Sequence, residues 1–322
     1  MSTAMPPPDE RPGWPALDYE GWRDTALTLQ LWTQVVGKVR LALSPWLNHG
    51  WQVPLYVNAH GLGTSPIHVP PGVLEIDFDF VEHRLVVRSS EGPDGGFALE
   101  PMSVAAFYRR VLDTLRTAGV EVRIHEWPSE IPDPIRFGED EQHAAYEAEA
   151  VQRFWRALVQ ADRVFRLFRT GFLGKASPVH FFWGSFDLAV TRFSGRPAPA
   201  HSGGVPGLPD AVTREAYSHE VSSAGFWPGG PAFPQAAFFA YAYPTPAGYA
   251  EAAVGPPQAS WSAELGEWLL PYDAVRTASD PDAALLRFLE TTYRAAAQLA
   301  RWDPALDCEL GEPRRPRRVP GA

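Results

Sequence analysis

Two segments in the second half of the chain combine ionisable side chains with closely spaced aromatic residues. The first, residues 175–196, reads KASPVHFFWGSFDLAVTRFSGR, and the second, residues 217–230, reads YSHEVSSAGFWPGG. Between them they hold the groups that could transfer protons, bind an anion or coordinate a metal: His180, Asp187, Arg192, His219 and Glu220. Because buried ionisable groups are costly unless they are paired or functional, a site is expected in these segments.

Strand periodicity limits which of these groups can meet. Successive side chains of a strand point to opposite faces, so a regular strand over residues 179–193 would separate His180 from Asp187. A bulge at Gly184 would shift this alternation and bring both side chains to one face. By the same rule the neighbours His219 and Glu220 point to opposite faces, so only one of them can enter a given pocket.

One interpretation of these residues is a metal site. Two imidazoles and a carboxylate are a ligand set that suits Fe, Mn or Zn. The ligands would be His180, His219 and a carboxylate, Asp187 or Glu220. Their spacing matches no regular metal-binding signature, so the cofactor stays open, with a single divalent ion as the candidate.

A second interpretation is proton transfer by a histidine–carboxylate pair. His219 would be the acid or base, Asp187 or Glu220 would orient it, and a cation would hold an anionic group of the substrate. The candidate cations are Arg192, Arg196 and Lys38. In a third interpretation the same side chains are structural, with a core histidine bonded to a carbonyl and an Asp–Arg pair at a sheet edge.

Aromatic and amide side chains would complete a pocket for a small molecule. Trp183, Trp227 and Tyr217 lie within or beside the two segments and could line an aromatic pocket, although aromatic residues in strands are more often core. A non-catalytic module that binds an apolar or ring-bearing compound in such a pocket is therefore the alternative to an enzyme. A third class is a partner protein in a larger assembly.

A polar stripe on the first predicted helix is the remaining candidate. Gln30, Gln34 and Lys38 follow one another at intervals of four between two apolar sectors. Polar groups in a buried helix need partners, which are either neighbouring loops or a ligand. The predicted substrate-binding residues therefore include all three.

Composition narrows the class of protein. The 322 residues carry a formal charge of -10, which repels phosphate backbones and argues against nucleic-acid binding. A single cysteine, Cys308, excludes an internal disulfide. The sequence shows no signal-peptide pattern and no apolar run of 18 residues, so we expect a soluble cytoplasmic protein that binds a small molecule and has no membrane contact.

The order of periodic segments predicts the architecture. Helices are expected over residues 19–43, 102–118 and 140–170 and from an N-cap at Asp280, and strands over residues 52–59, 73–80, 84–90, 120–125, 179–193, 235–243 and 268–275. This order predicts an α+β fold with antiparallel sheets covered by four long helices. Two structurally similar helix–sheet–helix halves are a further hypothesis.

Proline-rich stretches and the chain ends suggest the domain organisation. Residues 126–138 read as a connector between an N-terminal α+β half, 14–125, and a C-terminal half, 139–303, that carries the candidate site. Residues 1–13 and a basic tail, 304–322, are expected to be disordered.

Several phrases of the sequence resemble an uncharacterised bacterial domain-of-unknown-function family. They include WTQVVGK near residue 32, HFFWGSFDLAVTRFSGR from His180 and SHEVSSAGFWPG from Ser218. The resemblance extends over nearly everything from Trp14 to Trp302 and implies a single full-length unit. It implies no activity, so the residues must be assigned on their own chemistry. They predict an enzyme that acts on a small polar or anionic molecule by His/carboxylate chemistry, with or without a metal.

Overall fold

The computed structural model describes residues 13–205, 207–231 and 233–311 of the chain. In this part the chain forms six α-helices and two six-stranded antiparallel sheets, which confirms the α+β class. None of the helices in the described ranges is long and apolar enough to cross a membrane. Most of the two predicted disordered ends, namely residues 1–12 and 312–322, lies outside the described residues.

The first half of the chain builds one sheet between two helices. The helices are α1 (Tyr19–Leu43) and α2 (Val104–Thr117). The strands between them are β1 (Tyr56–Val57), β2 (Gly61–Gly63), β3 (Ile67–Val69), β4 (Gly72–Asp79), β5 (Arg84–Ser89) and β6 (Gly95–Ala98). They pair in the order β1-β2-β4-β5-β6, with β3 also on β4. Burial alternates along β4, as predicted for a sheet with one solvated face.

The second half builds a sheet that carries most of the candidate residues. Its elements are α3 (Ala148–Arg169), β7 (His180–Phe182), β8 (Asp187–Pro197), α4 (Asp210–Ala216), β9 (His219–Trp227), β10 (Ala237–Tyr243), β11 (Ser260–Ser262), β12 (Glu267–Pro271), α5 (Tyr272–Arg276) and α6 (Pro281–Leu299). The strand order is β11-β12-β10-β9-β8-β7, all antiparallel. Helices α3 and α6 pack against it.

One apolar core runs through both halves. Trp32 of α1 stacks on Phe107 of α2 with ring centroids 4.7 Å apart, and Phe154 of α3 stacks on Phe186 at 5.2 Å. These residues belong to a single continuous cluster of buried side chains. A long helix that is apolar on most sides must be buried, and α1 is, as predicted. The similarity of the two halves stays a prediction.

Several predicted elements differ from the structure, among them the strand expected over residues 52–59, of which only Tyr56–Val57 is a strand. Residues 120–125 form no strand. The third helix begins at Ala148 and not at Asp140, because the Asp140 carboxylate accepts from the backbone N–H groups of Gln142 and His143, which favours a turn over a helix. The predicted strand 268–275 ends at Pro271 and continues as α5. Residues 304–311 are also placed, since the Cys308 N–H donates to the Gly171 carbonyl at 3.1 Å.

The start of α6 gives a first testable prediction. Asp280 is the N-cap, with Pro281 at the first helical position, and its carboxylate accepts from the Ala283 N–H at 3.0 Å. Asp280→Ala should lower the free energy of unfolding by about 1 kcal/mol, because it leaves this N–H without its partner. Urea denaturation should show the loss, and Asp280→Ser should restore most of it. An unchanged midpoint for Asp280→Ala would contradict the assignment.

Candidate functional site

The segment expected to be one strand over residues 179–193 is a hairpin. β7 and β8 pair antiparallel through His180↔Ala189 and Phe182↔Asp187. The turn between them has Phe186 at φ 62°, a left-handed conformation that is rare for an aromatic residue. The predicted bulge at Gly184 is therefore wrong, but its consequence is the same, because the turn puts His180 and Asp187 on one face of the sheet.

The strand register divides the side chains of the second sheet between two faces. One face packs on α3 and α6 through Leu188, Phe226 and Phe238. The other, which we call the polar face, carries an unusual set of polar and aromatic side chains: His180, Asp187, Thr191, His219, Ser223, Phe239, Tyr241 and Glu267. Functional groups that converge on one sheet face are the geometry that a site requires.

Asp187 is the most buried carboxyl group of the polar face. Asp187 is 8% exposed, and the Ser185 hydroxyl donates to its Oδ1. Burial raises the pKa of Asp187 to about 7, and the negative charges of Glu130 and Glu267 act in the same direction. The carboxyl group therefore changes its protonation state near neutral pH.

Two further carboxyl groups act on Asp187. Burial raises the pKa of Glu267, on β12, to about 7, and it also raises the pKa of Glu130, in the connector between α2 and α3. In the part of the chain that the structure describes, neither carboxyl has an ion-pair partner. Both residues are half-buried. The charges of the three acids therefore act on one another, and none of the three has an ion-pair partner among the described residues.

A chain of hydroxyl groups crosses the same face. The hydroxyls of Tyr217 and Tyr241 are 3.0 Å apart, and those of Thr191 and Ser223 are 2.9 Å apart. Ser223 and Tyr241 are direct neighbours on adjacent strands, which places the two pairs side by side. Burial raises the pKa of Tyr217, and the nearby charges of Glu267, Asp187 and Glu130 raise it further. The phenol groups are therefore neutral, and the pair has one hydroxyl proton left to donate to a ligand.

The polar stripe of α1 binds the two loops that carry these acids, and this explains why its residues are polar. Gln30 Nε2 donates to the Gly184 carbonyl at 2.7 Å, within the β7–β8 turn. Gln34 pairs with Ser129, donating to its carbonyl at 2.8 Å and accepting from its N–H at 2.7 Å. The amides thus position Ser185 and Glu130 rather than lining the polar face as predicted substrate ligands.

Lys38 continues this stripe, and its amine also contacts the connector loop. Its Nζ donates to the Ser129 hydroxyl at 3.1 Å and lies 5.6 Å from the centre of the Trp183 ring. Burial lowers its pKa to about 8. No carboxylate pairs with it within the described residues, and it is directed into the loop packing.

The three aromatic residues that were predicted to bind a ligand lie in different places. Trp183 packs against Gly37 of α1 and donates from Nε1 to the Val53 carbonyl at 2.8 Å, so it is a core residue. Trp227 lies at the end of β9 and stacks on Phe233, with ring centroids 5.7 Å apart. Tyr217 alone joins the acid cluster.

Arg192 and Glu220 lie on the opposite face, which corrects both predictions. The Arg192 guanidinium donates to the Phe168 carbonyl and lies 3.5 Å from the centre of the Phe168 ring and 4.3 Å from that of Tyr293, so it is a buried cation of the helix interface. Glu220 accepts from Arg196 at 2.6 Å and from the Ser194 hydroxyl at 2.8 Å. Its carboxylate is occupied by structural contacts, and so is the Arg196 guanidinium.

The predicted metal ligands do not meet. His219 Nδ1 is bonded to the Ser218 hydroxyl at 3.1 Å, and its ring contacts His49 edge-on at 5.5 Å. His180 is enclosed by Trp51, Tyr56 and Phe182. Among the described residues, no three His, Cys, Asp or Glu side chains are grouped to hold a metal ion.

Sequence reasoning missed Glu130 and Glu267. Glu130 lies in a proline-rich connector that carries no periodic signal, and its φ of 57° marks it only once the structure is known. Glu267 stands in a strand of alternating character, where a polar residue ordinarily indicates a solvated face. The alternating pattern of the strand contains this information, but the pairing of the strands is needed to tell which face of the sheet is solvated.

Comparison with known proteins gives a family and no activity. Searches of curated proteins and of solved structures gave no significant match. Residues 14–308 match the model of a family of unknown function, DUF5996, which agrees with the resemblance of the sequence phrases. Because this match spans most of the chain, the protein belongs to the DUF5996 family.

Proposed function

We propose that the polar face is the active site of an enzyme that performs acid–base chemistry on a small polar molecule. The observation that carries the proposal is the electrostatic coupling of Asp187, Glu130 and Glu267 beside the hydrogen-bonded hydroxyls of Tyr217 and Tyr241. A carboxyl group whose pKa lies near 7 is well suited to take up and release a proton at neutral pH.

The environment of each group suggests its role. Asp187 is the more enclosed acid and is oriented by the Ser185 hydroxyl, so it is the proposed acid or base. Glu267 is the second acid, at the other side of the hydroxyl chain. Tyr217 donates to Tyr241, which leaves the Tyr241 hydroxyl to donate a hydrogen bond to the substrate. His219 lies on the same face and is a further candidate for proton transfer.

Charge favours a neutral or cationic substrate. The charges that act on Asp187 and Tyr217 are all negative, because they come from carboxyl groups. An anionic substrate would add repulsion, and the cations predicted to bind it, Arg192 and Lys38, are committed elsewhere. A hydroxyl-rich or amine-bearing molecule would instead accept hydrogen bonds from the phenols or pair with the carboxylates.

The aromatic rings beside the acids favour one alternative, a protein that binds an amine cation without converting it. His201 stacks on Tyr217 with ring centroids 5.0 Å apart, and Tyr243 contacts both rings at 5.2 and 5.1 Å. Aromatic faces next to carboxylates stabilise an ammonium group by cation–π attraction. The alternative predicts retention of the compound and no product.

Metabolite depletion tests the proposal. The wild type should be incubated with an extract of polar metabolites and the mixture followed by mass spectrometry, beside Asp187→Asn, Glu267→Gln and the exposed control Glu264→Gln. We expect one neutral or cationic compound to be consumed, with the rate lowered about 100-fold or more by Asp187→Asn and unchanged by the control. Depletion at the wild-type rate by both Asp187→Asn and Glu267→Gln would refute the proposal. A compound retained unaltered by the wild type would establish the alternative.

A further inference from the structure

A second cluster, cationic where the first is acidic, surrounds the rings of Trp51 and Tyr56. The Arg40 guanidinium lies 5.0 Å from the centre of the Tyr56 ring, and Lys175 Nζ lies 4.8 Å from that of Trp51. His180 contacts both rings, at 5.6 and 5.7 Å. Burial lowers the pKa of His180 to about 3, and the charges of Arg40 and Arg169 lower it further, which places both guanidinium groups near the imidazole.

Several nitrogen atoms of this cluster are buried without a partner. They are Nε and Nη1 of Arg40, Nε of Arg169 and Nε2 of His180. Arg40 is 9% exposed and His180 is 1% exposed, so surface water does not explain their state. An unsatisfied buried donor costs about 1–3 kcal/mol, and more when it is charged. Several such donors at one place indicate a group that they would bind.

The nearby acids balance only part of this charge. Arg40, Arg169 and Lys175 form no ion pair within the described ranges of the chain. Asp162, whose charge acts on Arg169, accepts from Arg166 Nε at 2.6 Å through Oδ2, so Arg166 and Arg169 share one carboxylate. Glu215, on the His49 side, accepts from the His49 N–H at 2.9 Å. Arg40 and Lys175 therefore have no carboxylate partner among the described residues.

Helix geometry explains only part of this arrangement. Arg40 and Arg169 lie in the last turns of α1 and α3, where a cation is stabilised by the partial negative charge of the helix end. That effect accounts for arginine at these positions. It does not account for N–H groups that are buried and unpaired, since a cation at a helix end normally keeps its donors in water.

We propose that this cluster is a binding site for the phosphate group of a small molecule. Arg40 presents buried Nε and Nη1 donors without a partner, and guanidinium groups are preferred ligands of phosphate oxygens. The charges of Arg40 and Arg169, which both act on His180, favour a dianion over a carboxylate, which would leave more of the charge unbalanced. Lys175 is exposed, and Trp51 and Tyr56 are half-buried, so they form the entrance to the site and the buried groups form its floor.

Phosphate-dependent stability tests the site in the full-length protein. Thermal unfolding should be followed in phosphate-free buffer with added sodium phosphate, phenyl phosphate or sodium acetate at matched ionic strength. For the wild type we expect a saturable rise in the unfolding temperature with either phosphate and none with acetate. Tighter binding of phenyl phosphate with quenching of tryptophan fluorescence would identify a phosphate ester, and equal binding would identify inorganic phosphate.

Variants separate binding from folding. Arg40→Met should weaken phosphate binding about tenfold or more and should unfold at the same or a higher temperature in phosphate-free buffer, because it removes an unbalanced buried charge. Lys175→Met, at an exposed position, should weaken binding severalfold even if Arg40→Met fails to fold. Arg153→Met is the control, since Arg153 is an exposed residue of α3 that pairs with Glu149. The proposal is overturned if the wild type shows no saturable response, if acetate matches phosphate, or if Lys175→Met binds like Arg153→Met.

Discussion

Asp187→Asn should have a higher free energy of unfolding than the wild type at pH 8, and nearly the same free energy of unfolding as the wild type at pH 4. The pKa of Asp187 is raised to about 7 in the folded protein from an ordinary value of 3.8. Between these values the folded state holds a proton that the unfolded state releases, so stability falls as the pH rises through the window. Below pH 3.8 both states are protonated, and above pH 7 the full loss of stability is reached, at roughly 4 kcal/mol.

The Asn side chain reproduces the neutral form of the acid. Its oxygen can still accept from the Ser185 hydroxyl, so the substitution removes the charge and keeps the contact. Urea denaturation of both proteins at unit intervals between pH 4 and pH 8 should show a steeper loss for the wild type. Glu264→Gln, which replaces an exposed acid in the β11–β12 turn, should follow the wild type. Parallel curves for Asp187→Asn and the wild type would show that the carboxyl group is not buried as an acid.

This gain in stability should accompany a loss of function. An enzyme maintains an ionisable group in an unfavourable environment because the same environment sets the pKa that proton transfer needs. A stabilising substitution that also stops metabolite depletion would therefore distinguish a functional carboxyl from a structural one. If Asp187→Asn were destabilising at every pH, the structural interpretation of Asp187 would be preferred.

The sequence sufficed for the elements whose pattern is local. The bounds of α1 agree with those predicted from apolar periodicity, and the cap at Asp280 follows from the order Asp-Pro before an apolar stripe. Alternation also predicted that His219 and Glu220 separate, and the structure places them on opposite faces of the sheet. These features follow from the order of neighbouring residues.

The site depended on contacts between distant segments, and there the sequence was insufficient. Asp187 was identified, but its neighbours Glu130 and Glu267 are supplied by a connector and by a strand three positions away in the sheet. Arg192 looked like an anion clamp because a charged residue in an apolar strand suggests function. The structure instead places it between Phe168 and Tyr293, where cation–π contacts replace a carboxylate partner. Only the packing of α3 and α6 distinguishes these outcomes.

Two glycine-to-alanine substitutions in α1 should have opposite effects. Alanine is favoured over glycine in a helix by about 1 kcal/mol, so Gly21→Ala should be stabilising by up to this amount. Gly21 is exposed, and a Cβ there would approach only the flexible Asp18 side chain, at 2.9 Å. At Gly37 the same Cβ would lie 2.2 Å from the indole ring of Trp183. Gly37→Ala should therefore lower the free energy of unfolding by about 3 kcal/mol, despite the helical preference.

The second substitution also tests how α1 positions the acid cluster. Trp183 begins the turn that leads into Asp187, and its Nε1 donates to the Val53 carbonyl at 2.8 Å. An indole ring displaced by the added methyl group would move the turn, so the pH dependence of stability attributed to Asp187 should diminish in Gly37→Ala and persist in Gly21→Ala. Urea denaturation at pH 4 and pH 8 measures both effects. Since overpacking by one methyl group is the only change, a Gly37→Ala protein as stable as Gly21→Ala would show that α1 does not lie against the β7–β8 turn.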